Sequence, residues 1–281
     1  MTSVFNNEFE IAWCPGCGNY GILKALKKAL EISGKKPSEI TVVSGIGQAG
    51  KTPHYLNTNG FNGLHGRALP LASGIKISNP EQLVIIHGGD GDGYGEGGNH
   101  FIHSIRRNLD MNYFVHNNQI YGLTKGQASP TSAIGTKSGI QPGGTIMEPI
   151  NPLKLAMSLD CGFIARGFSG EPDHLAELMS EAFAYKGFAY IDILQPCVVF
   201  NKVNTFSWYK ERIYKLEESF DYTNPDKAWD KINEWDKKIP LGIIFKKEKP
   251  EYFEKASLVN PPGVKNSDPK IYWEELLEIY K

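Results

Sequence analysis

Hydrophobic positions along the chain follow two alternating spacings, which predict helices and strands in turn. From Tyr20 to Ile32 the apolar residues recur at the spacing of an amphipathic helix, and Gly34 follows as a stop signal. Continuous apolar runs are typical of strands that are buried on both faces. Such runs occur at residues 40–43, 83–86, 113–115, 163–167, 188–194 and 240–245. Further helices are predicted at residues 67–77, 98–107, 152–159 and 172–185.

This alternation predicts an α/β fold, with a mainly parallel sheet covered by helices on both faces. Residues 48–65 and 126–149 show no apolar period, and we expect both segments to be irregular. The second is long enough to suggest a functional or mobile loop. After Asn201 the composition becomes charged and aromatic. We therefore predict one domain over residues 1–200 and a C-terminal extension over residues 201–281.

The composition narrows the class of partner. The 281 residues are 41% hydrophobic and 22% charged, and their net charge of −1 argues against a general nucleic-acid or membrane-surface binder. No apolar stretch resembles a signal peptide or reaches the length of a transmembrane helix. We expect a cytoplasmic protein with no nucleic-acid and no membrane partner. Four cysteines do not make a disulfide framework in a chain this long, so metal or redox use is the better hypothesis.

Candidate chemistry is concentrated where two successive strands end. The first strand leads into the glycine-rich loop of residues 87–93, and the second into Asn117-Asn118. Parallel strands end at one edge of the sheet, where open α/β sheets bind ligands. Glycines let backbone N–H groups approach phosphate oxygens, and Mg²⁺ takes hard oxygen ligands alongside phosphates. The Asp90 carboxylate, the Asn118 amide oxygen and the Ile120 carbonyl are candidate ligands of a metal-bound diphosphate.

These motifs and others along the chain resemble the β subunit of 2-oxoacid:ferredoxin oxidoreductases of the two-subunit archaeal type. The resemblance extends from about Phe9 to Phe245. It is carried by the runs WCPGCGN (13–19), SGIG (44–47), KTPHY (51–55), FNGLHGRA (61–68), GGDGD (88–92), RRNLD (106–110), YGLTKGQASPT (121–131) and LQPC (194–197).

The resemblance implies a thiamine diphosphate-binding domain of the diphosphate-binding type over residues 1–200, with a cluster segment near its N-terminus. It implies coenzyme A-dependent oxidative decarboxylation of a 2-oxoacid to acyl-CoA and CO₂, with electrons passed through an iron–sulfur cluster to ferredoxin. The implied cofactors are thiamine diphosphate, Mg²⁺ and a [4Fe–4S] cluster. The implied partners are ferredoxin, the 2-oxoacid, coenzyme A and a larger α subunit, which would supply the glutamate that activates the cofactor.

The family's site residues carry over position by position. Asp90, Asn118 and the Ile120 carbonyl would hold Mg²⁺. The cofactor would be lined by Ile46, Gly47, Gln48, His65, Gly91, Asp92, Gly122 and Leu123. His65 is also a candidate catalytic residue, together with Lys51 and Lys125. The two lysines could be ordinary solvated lysines, but both lie in loops that should open on the cofactor edge, which favours a role in holding the substrate carboxylate or coenzyme A.

The cysteines match the family's cluster pattern at three of four positions. Cys14, Cys17 and Cys197 match, whereas Gln48 stands where the family has the remaining cysteine. Because a cubane cluster ordinarily takes four thiolates, the fourth ligand stays open. Taken alone, Cys14 and Cys17 would also suit a thioredoxin-like dithiol or half of a zinc site. Cys161 matches no ligand position, and we expect a small buried thiol there.

Two other functions remain compatible with the sequence. One is a thiamine diphosphate-dependent, non-oxidative 2-oxoacid decarboxylase subunit that lacks the cluster. The other is a regulatory or assembly subunit that binds the cofactor without turning it over.

Overall fold

The computed structural model describes residues 3–252, whose strands form one large sheet between two layers of helices. The strands of this sheet are β1 (Ile40–Ser44), β2 (Asn59–Asn62), β3 (Leu83–Gly89), β4 (Met111–Asn117), β7 (Phe163–Phe168), β8 (Phe188–Leu194), β9 (Ile213–Lys215) and β10 (Ile239–Lys246). A separate short hairpin consists of β5 (Ile120–Tyr121) and β6 (Gln127–Ala128). The helices are α1 (Asn19–Ser33), α2 (Ala68–Ser78), α3 (Gly98–Arg107), α4 (Pro152–Ser158), α5 (Pro172–Ala184), α6 (Phe206–Lys210) and α7 (Pro225–Asn233).

The strand order in the large sheet is β2-β1-β3-β4-β8-β7-β10-β9. All neighbours are parallel except β10, which runs antiparallel to β7. The register sets Gly89 opposite His116, and Asn117 opposite Leu194. The carboxyl ends of β3, β4 and β8 therefore lie side by side, as the predicted mainly parallel α/β fold requires.

Successive strand residues point to opposite faces of the sheet, which builds a core on each side. Ile85 and Phe114 pack into a buried cluster with α1 and α5. Their neighbours Ile86 and Val115 pack into the other cluster, with α2 and α3. Because both faces are covered, the strands carry the continuous apolar runs that the sequence displays.

The structure corrects the prediction of an irregular segment over residues 48–65. Residues Ala49–Tyr55 form a 3₁₀ helix, and β2 extends the sheet beside β1. All four residues of β2 are exposed, so the strand has no apolar alternation that sequence reasoning could detect. The long segment over residues 126–149 is irregular apart from the two residues of β6.

Residues beyond position 200 take part in the same sheet. Strand β10 pairs with β7 and carries β9 at the edge. The division at residue 200 stays a prediction, and residues 253–281 of the extension lie outside the described residues. No helix within residues 3–252 is long and apolar enough to cross a membrane.

Candidate active site

The loop after β3 turns tightly at the carboxyl edge of the sheet. Residues Gly91–Glu96 form a wide π-helical turn, which the Gly97 N–H closes on the Asp92 carbonyl at 2.8 Å. A Cβ atom on Gly91 would lie 2.3 Å from the Tyr121 ring, which packs over the loop. Glycine is therefore required here so that the hairpin β5–β6 can approach the loop.

Asp90 is buried at the start of this turn. Its Oδ2 accepts hydrogen bonds from the hydroxyl groups of Ser129, at 2.5 Å, and Thr131, at 2.6 Å. Burial raises the pKa of Asp90 to about 6, although these two hydrogen bonds oppose the rise. Two hydroxyl donors thus orient the Asp90 carboxylate. Because this carboxylate is buried, a bound cation would stabilise its charged form.

Asp92 connects three loops. Its Oδ1 accepts the backbone N–H of Ile46 at 2.9 Å and that of Gly66 at 2.8 Å, and the Nδ1 atom of His65 lies 3.1 Å away. A Cβ atom on Gly45 would lie 2.1 Å from the Asp92 carboxylate, so that position must be glycine. Burial raises the pKa of Asp92, and the two backbone donors oppose the rise. This carboxylate thus holds the loops after β1 and before α2 against the loop after β3.

Asn118 is fixed by hydrogen bonds on both sides of its amide. Its Oδ1 accepts the Ile120 N–H at 3.0 Å, and its Nδ2 donates to Gln195 Oε1 at 3.1 Å. The intervening Gln119 has a left-handed φ of 58°, which lets the chain turn back on Asn118. The other asparagine, Asn117, bonds instead with Asp192 and Thr131. Asn117 and Asn118 are adjacent in the sequence, but their side chains therefore make hydrogen bonds on opposite sides of the sheet edge.

These loops surround one cavity. Its lining includes every residue that the sequence analysis assigned to Mg²⁺ or to thiamine diphosphate: Asp90, Asn118, Ile120, Ile46, Gly47, Gln48, His65, Gly91, Asp92, Gly122 and Leu123. The three candidate Mg²⁺ ligands offer a carboxylate, an amide and a backbone carbonyl, which are the hard oxygen donors that Mg²⁺ prefers. This donor set fits a magnesium diphosphate.

The two lysines predicted to be catalytic lie outside this lining. The Lys51 ammonium donates to the Ala12 carbonyl at 3.1 Å and so holds the N-terminal segment. Lys125 is exposed and follows Thr124, which does line the cavity. Their catalytic roles stay predictions.

Three cysteines and Gln48 surround an adjoining cavity. Cys14, Cys17 and Cys197 all line it, and Gln48 lines both cavities. Burial raises the pKa of the Cys17 thiol to about 11, and the charges of Cys197 and Cys14 add to the rise. Gln195 Nε2 donates to the Cys17 sulfur at 3.5 Å. Cys161 is buried elsewhere, as expected of a structural thiol.

The donor set of this cavity fits an iron–sulfur cluster in part. Three thiols are present, and the fourth position holds Gln48, whose Oε1 is buried without a hydrogen-bond partner among the described residues. Within residues 3–252, no three His, Cys, Asp or Glu side chains are arranged so that they could hold a metal ion.

Several residues of the site escaped the sequence analysis. Ser129 and Thr131 reach Asp90 from 39 and 41 residues away. His116 lines the cofactor cavity and lies 2.8 Å from both His87 and Asn19 through its two ring nitrogens. Burial lowers the pKa of His87 to about 3 and that of His116 well below its usual value, so both rings are neutral at physiological pH. Among these residues, only Ser129 and Thr131 belong to a run with a local signal. That run, Ser-Pro-Thr after the hairpin, predicts a turn and not a contact with Asp90.

Comparison with known proteins identifies the family. The family described as "Thiamine pyrophosphate enzyme, C-terminal TPP binding domain" matches residues 43–193, and the family of the C-terminal part of the pyruvate ferredoxin oxidoreductase beta subunit matches residues 197–260. A 2-oxoacid:ferredoxin oxidoreductase subunit beta from a Sulfolobus species is 45% identical over 89% of this chain and 87% of its own length. The chain belongs to the β-subunit family of 2-oxoacid:ferredoxin oxidoreductases.

Further similarities support this membership along nearly the whole length of the protein. Subunit beta of 2-oxoacid:ferredoxin oxidoreductase 1 from Aeropyrum pernix is 41% identical over 99% of this chain and 95% of its own length. A solved 2-oxoglutarate:ferredoxin oxidoreductase from Magnetococcus marinus, with 2-oxoglutarate, coenzyme A and succinyl-CoA bound, superposes with a TM-score of 0.89 at 32% identity, covering 99% of this chain and 94% of that one. The predicted family and fold are confirmed, and residues 43–193 are a thiamine diphosphate-binding domain.

Proposed function

We propose that this β subunit takes part in the oxidative decarboxylation of a 2-oxoacid with coenzyme A to acyl-CoA and CO₂, with electrons passed through an iron–sulfur cluster to ferredoxin. The observation that carries the proposal is the adjacency of two cavities. One gathers the oxygen donors suited to a magnesium diphosphate, and the other gathers three thiols. The relatives are named as ferredoxin oxidoreductases, which does not favour a non-oxidative decarboxylase.

In this proposal the protein binds and orients the cofactor, which supplies the carbanion chemistry when bound. Asp90, Asn118 and the Ile120 carbonyl hold Mg²⁺ on the diphosphate. The glycine-rich loops bring backbone N–H groups to the phosphate oxygens. Asp92 supports those loops through the two backbone hydrogen bonds that its Oδ1 accepts.

Cys14, Cys17 and Cys197 would hold the cluster, and the Gln48 amide lies in the wall of the same cavity. The unpartnered Oε1 atom of Gln48 supports this assignment, since a buried amide oxygen without a donor is costly. The two cavities share Gln48, Asn118, Gly122 and Gln195 as their common wall. This shared wall would separate the bound cofactor from the cluster.

The site is completed by a larger α subunit. Thiamine diphosphate enzymes of this type activate the aminopyrimidine ring through a glutamate, and the described lining of the cofactor cavity contains none. The 2-oxoacid and coenzyme A would then bind between the subunits, with His65, Lys51 and Lys125 as candidate contacts on this side. The complex would act in the cytoplasm.

The metal site can be tested on the co-expressed α–β complex. We expect Asp90→Ala to abolish Mg²⁺-dependent binding of thiamine diphosphate in calorimetry, because it removes the charged ligand. Asp230→Ala, which changes an exposed carboxylate on α7, serves as the matched control. Unchanged cofactor affinity in Asp90→Ala would refute the assignment of this ligand.

The reaction can be tested on the same complex with a panel of 2-oxoacids. We expect ferredoxin reduction that requires both a 2-oxoacid and coenzyme A. Release of CO₂ that proceeds equally well without coenzyme A and ferredoxin would instead identify a non-oxidative decarboxylase.

A further inference from the structure

A second large cavity lies on the other side of the sheet edge, beyond Asn117. It has a volume of about 330 Å³ and opens between the ends of β7 and β8 and the segment that carries Trp208 and Trp235. Asn117 and Thr131 line this cavity but not the cofactor cavity, whereas Asn118 lines the cofactor cavity but not this one. The proposed cofactor chemistry does not use this space.

The most unusual group in its wall is Arg166. The side chain is 2% exposed, and its Nε and Nη1 atoms have no hydrogen-bond partner among residues 3–252. The guanidinium carbon lies 5.5 Å from the centroid of the Trp235 ring. A buried guanidinium with open donors is costly, and planar oxyanions satisfy such donors in pairs.

The nearest carboxylate does not satisfy Arg166. Asp192 lies beside it across β7 and β8, yet its oxygens accept from the Tyr94 hydroxyl at 2.8 Å and from Asn117 Nδ2 at 3.1 and 3.3 Å. The charges of Asp192 and Arg166 attract each other, but no hydrogen bond or close ion pair joins the two side chains within the described part of the chain. Neutral donors thus take up the hydrogen-bonding capacity of the Asp192 carboxylate, and the Nε and Nη1 atoms of Arg166 are buried in the cavity wall without a partner among residues 3–252.

The rest of the wall suits an organic anion better than a bare ion. Trp208 and Trp235 both line the cavity, and their tilted rings have centroids 6.3 Å apart. Lys154 adds a second cation, and Asn204 adds an amide that can donate. The opposing charge of Asp236 is on an exposed residue, where solvent screens it.

We propose that this cavity binds a small organic anion, whose carboxylate or phosphate group pairs with Arg166 and whose body lies against Trp208 and Trp235. The site is separate from the cofactor cavity. It therefore does not depend on the proposed reaction.

The test uses calorimetry on the α–β complex with thiamine diphosphate and Mg²⁺ in excess, so that the cofactor site is filled. Benzoate and inorganic phosphate are titrated in separate arms at constant ionic strength, which distinguishes a carboxylate from a phosphate ligand. We expect saturable binding of at least one probe, accompanied by a change in tryptophan fluorescence. Arg166→Gln should weaken binding by about tenfold or more, because it removes two charge-assisted hydrogen bonds.

Arg166→Lys keeps the charge but loses the paired donors and should weaken binding to a smaller extent. Lys154→Gln removes the other cation of the cavity wall and leaves the buried arginine in place. If Arg166→Gln does not fold, the affinities of Arg166→Lys and Lys154→Gln show whether the cations of this cavity bind the anion. Arg107→Gln changes an exposed arginine on α3 and is the matched control. The proposal is overturned if neither probe saturates the wild-type complex, if the folded Arg166 and Lys154 variants bind as tightly as the wild type, or if Arg107→Gln weakens binding equally.

Discussion

Replacing Asp92 with alanine should loosen the cofactor site without removing a metal ligand. The substitution deletes the carboxylate that holds the backbone of Ile46 and Gly66 against the loop after β3. Both amides would lose a charged acceptor in a place where water cannot fully replace it. We therefore expect local opening of two loops that line the cofactor cavity.

The size of the effect follows from the two hydrogen bonds. At 2.8 and 2.9 Å both are short bonds to an ionisable acceptor, and each such bond contributes about 1.5–3 kcal/mol. Burial raises the pKa of Asp92, so removing the carboxylate also removes part of a desolvation cost. We expect Asp92→Ala to lower the free energy of unfolding by about 2–4 kcal/mol. Asp92→Asn keeps an acceptor oxygen and should cost only about 1 kcal/mol.

Two measurements check this expectation. Urea unfolding gives the free-energy change, and hydrogen exchange followed by mass spectrometry reports opening in peptides that contain Ile46 and Gly66. Asp230→Ala, on an exposed face of α7, controls for the loss of a carboxylate as such. If exchange in both peptides and the free energy of unfolding match this control, the role given to Asp92 is wrong.

Three further predictions concern the metal and partner sites. Gln48→Cys should raise the iron content and the oxygen tolerance of the anaerobically purified complex, because a fourth thiolate completes the cubane. A wild-type complex that already keeps four irons per chain in air would contradict this prediction. Burial raises the pKa of Asp90 from an ordinary 3.8 to about 6, so the folded chain binds this proton more tightly than the unfolded chain. In the metal-free, cofactor-free protein, the contribution of Asp90 to the free energy of unfolding should therefore fall by about 2 kcal/mol as the pH rises from about 4 to about 6. Urea titrations in EDTA test this, and Asp90→Asn should flatten the dependence, whereas a rise in stability over that range would refute it. The isolated chain should show no full 2-oxoacid turnover, since the activating glutamate is expected from the α subunit, and turnover by this chain alone would exclude that arrangement.

The sequence determined those features that depend on neighbouring residues. Helix α3 spans Gly98–Arg107 and strand β8 spans Phe188–Leu194, as their apolar spacing predicts. The glycine-rich loop and the paired asparagines located the cofactor edge, because parallel strands that follow one another through a helix must end on the same side. The family motifs also pointed to the cysteines and the candidate Mg²⁺ ligands, because each motif is a short run of neighbouring residues.

Only the tertiary structure decided which distant groups meet at that edge. Strand β2 has four exposed residues, so its pairing with β1 leaves no periodic trace in the sequence. Ser129 and Thr131 reach Asp90 because the irregular segment after the hairpin folds back over the sheet edge. Arg166 lies inside an apolar strand, and its open donors become apparent only when the register sets it beside an already bonded Asp192. Local periodicity fixes an element and its faces, whereas these contacts depend on strand order and loop path, which join residues far apart along the chain.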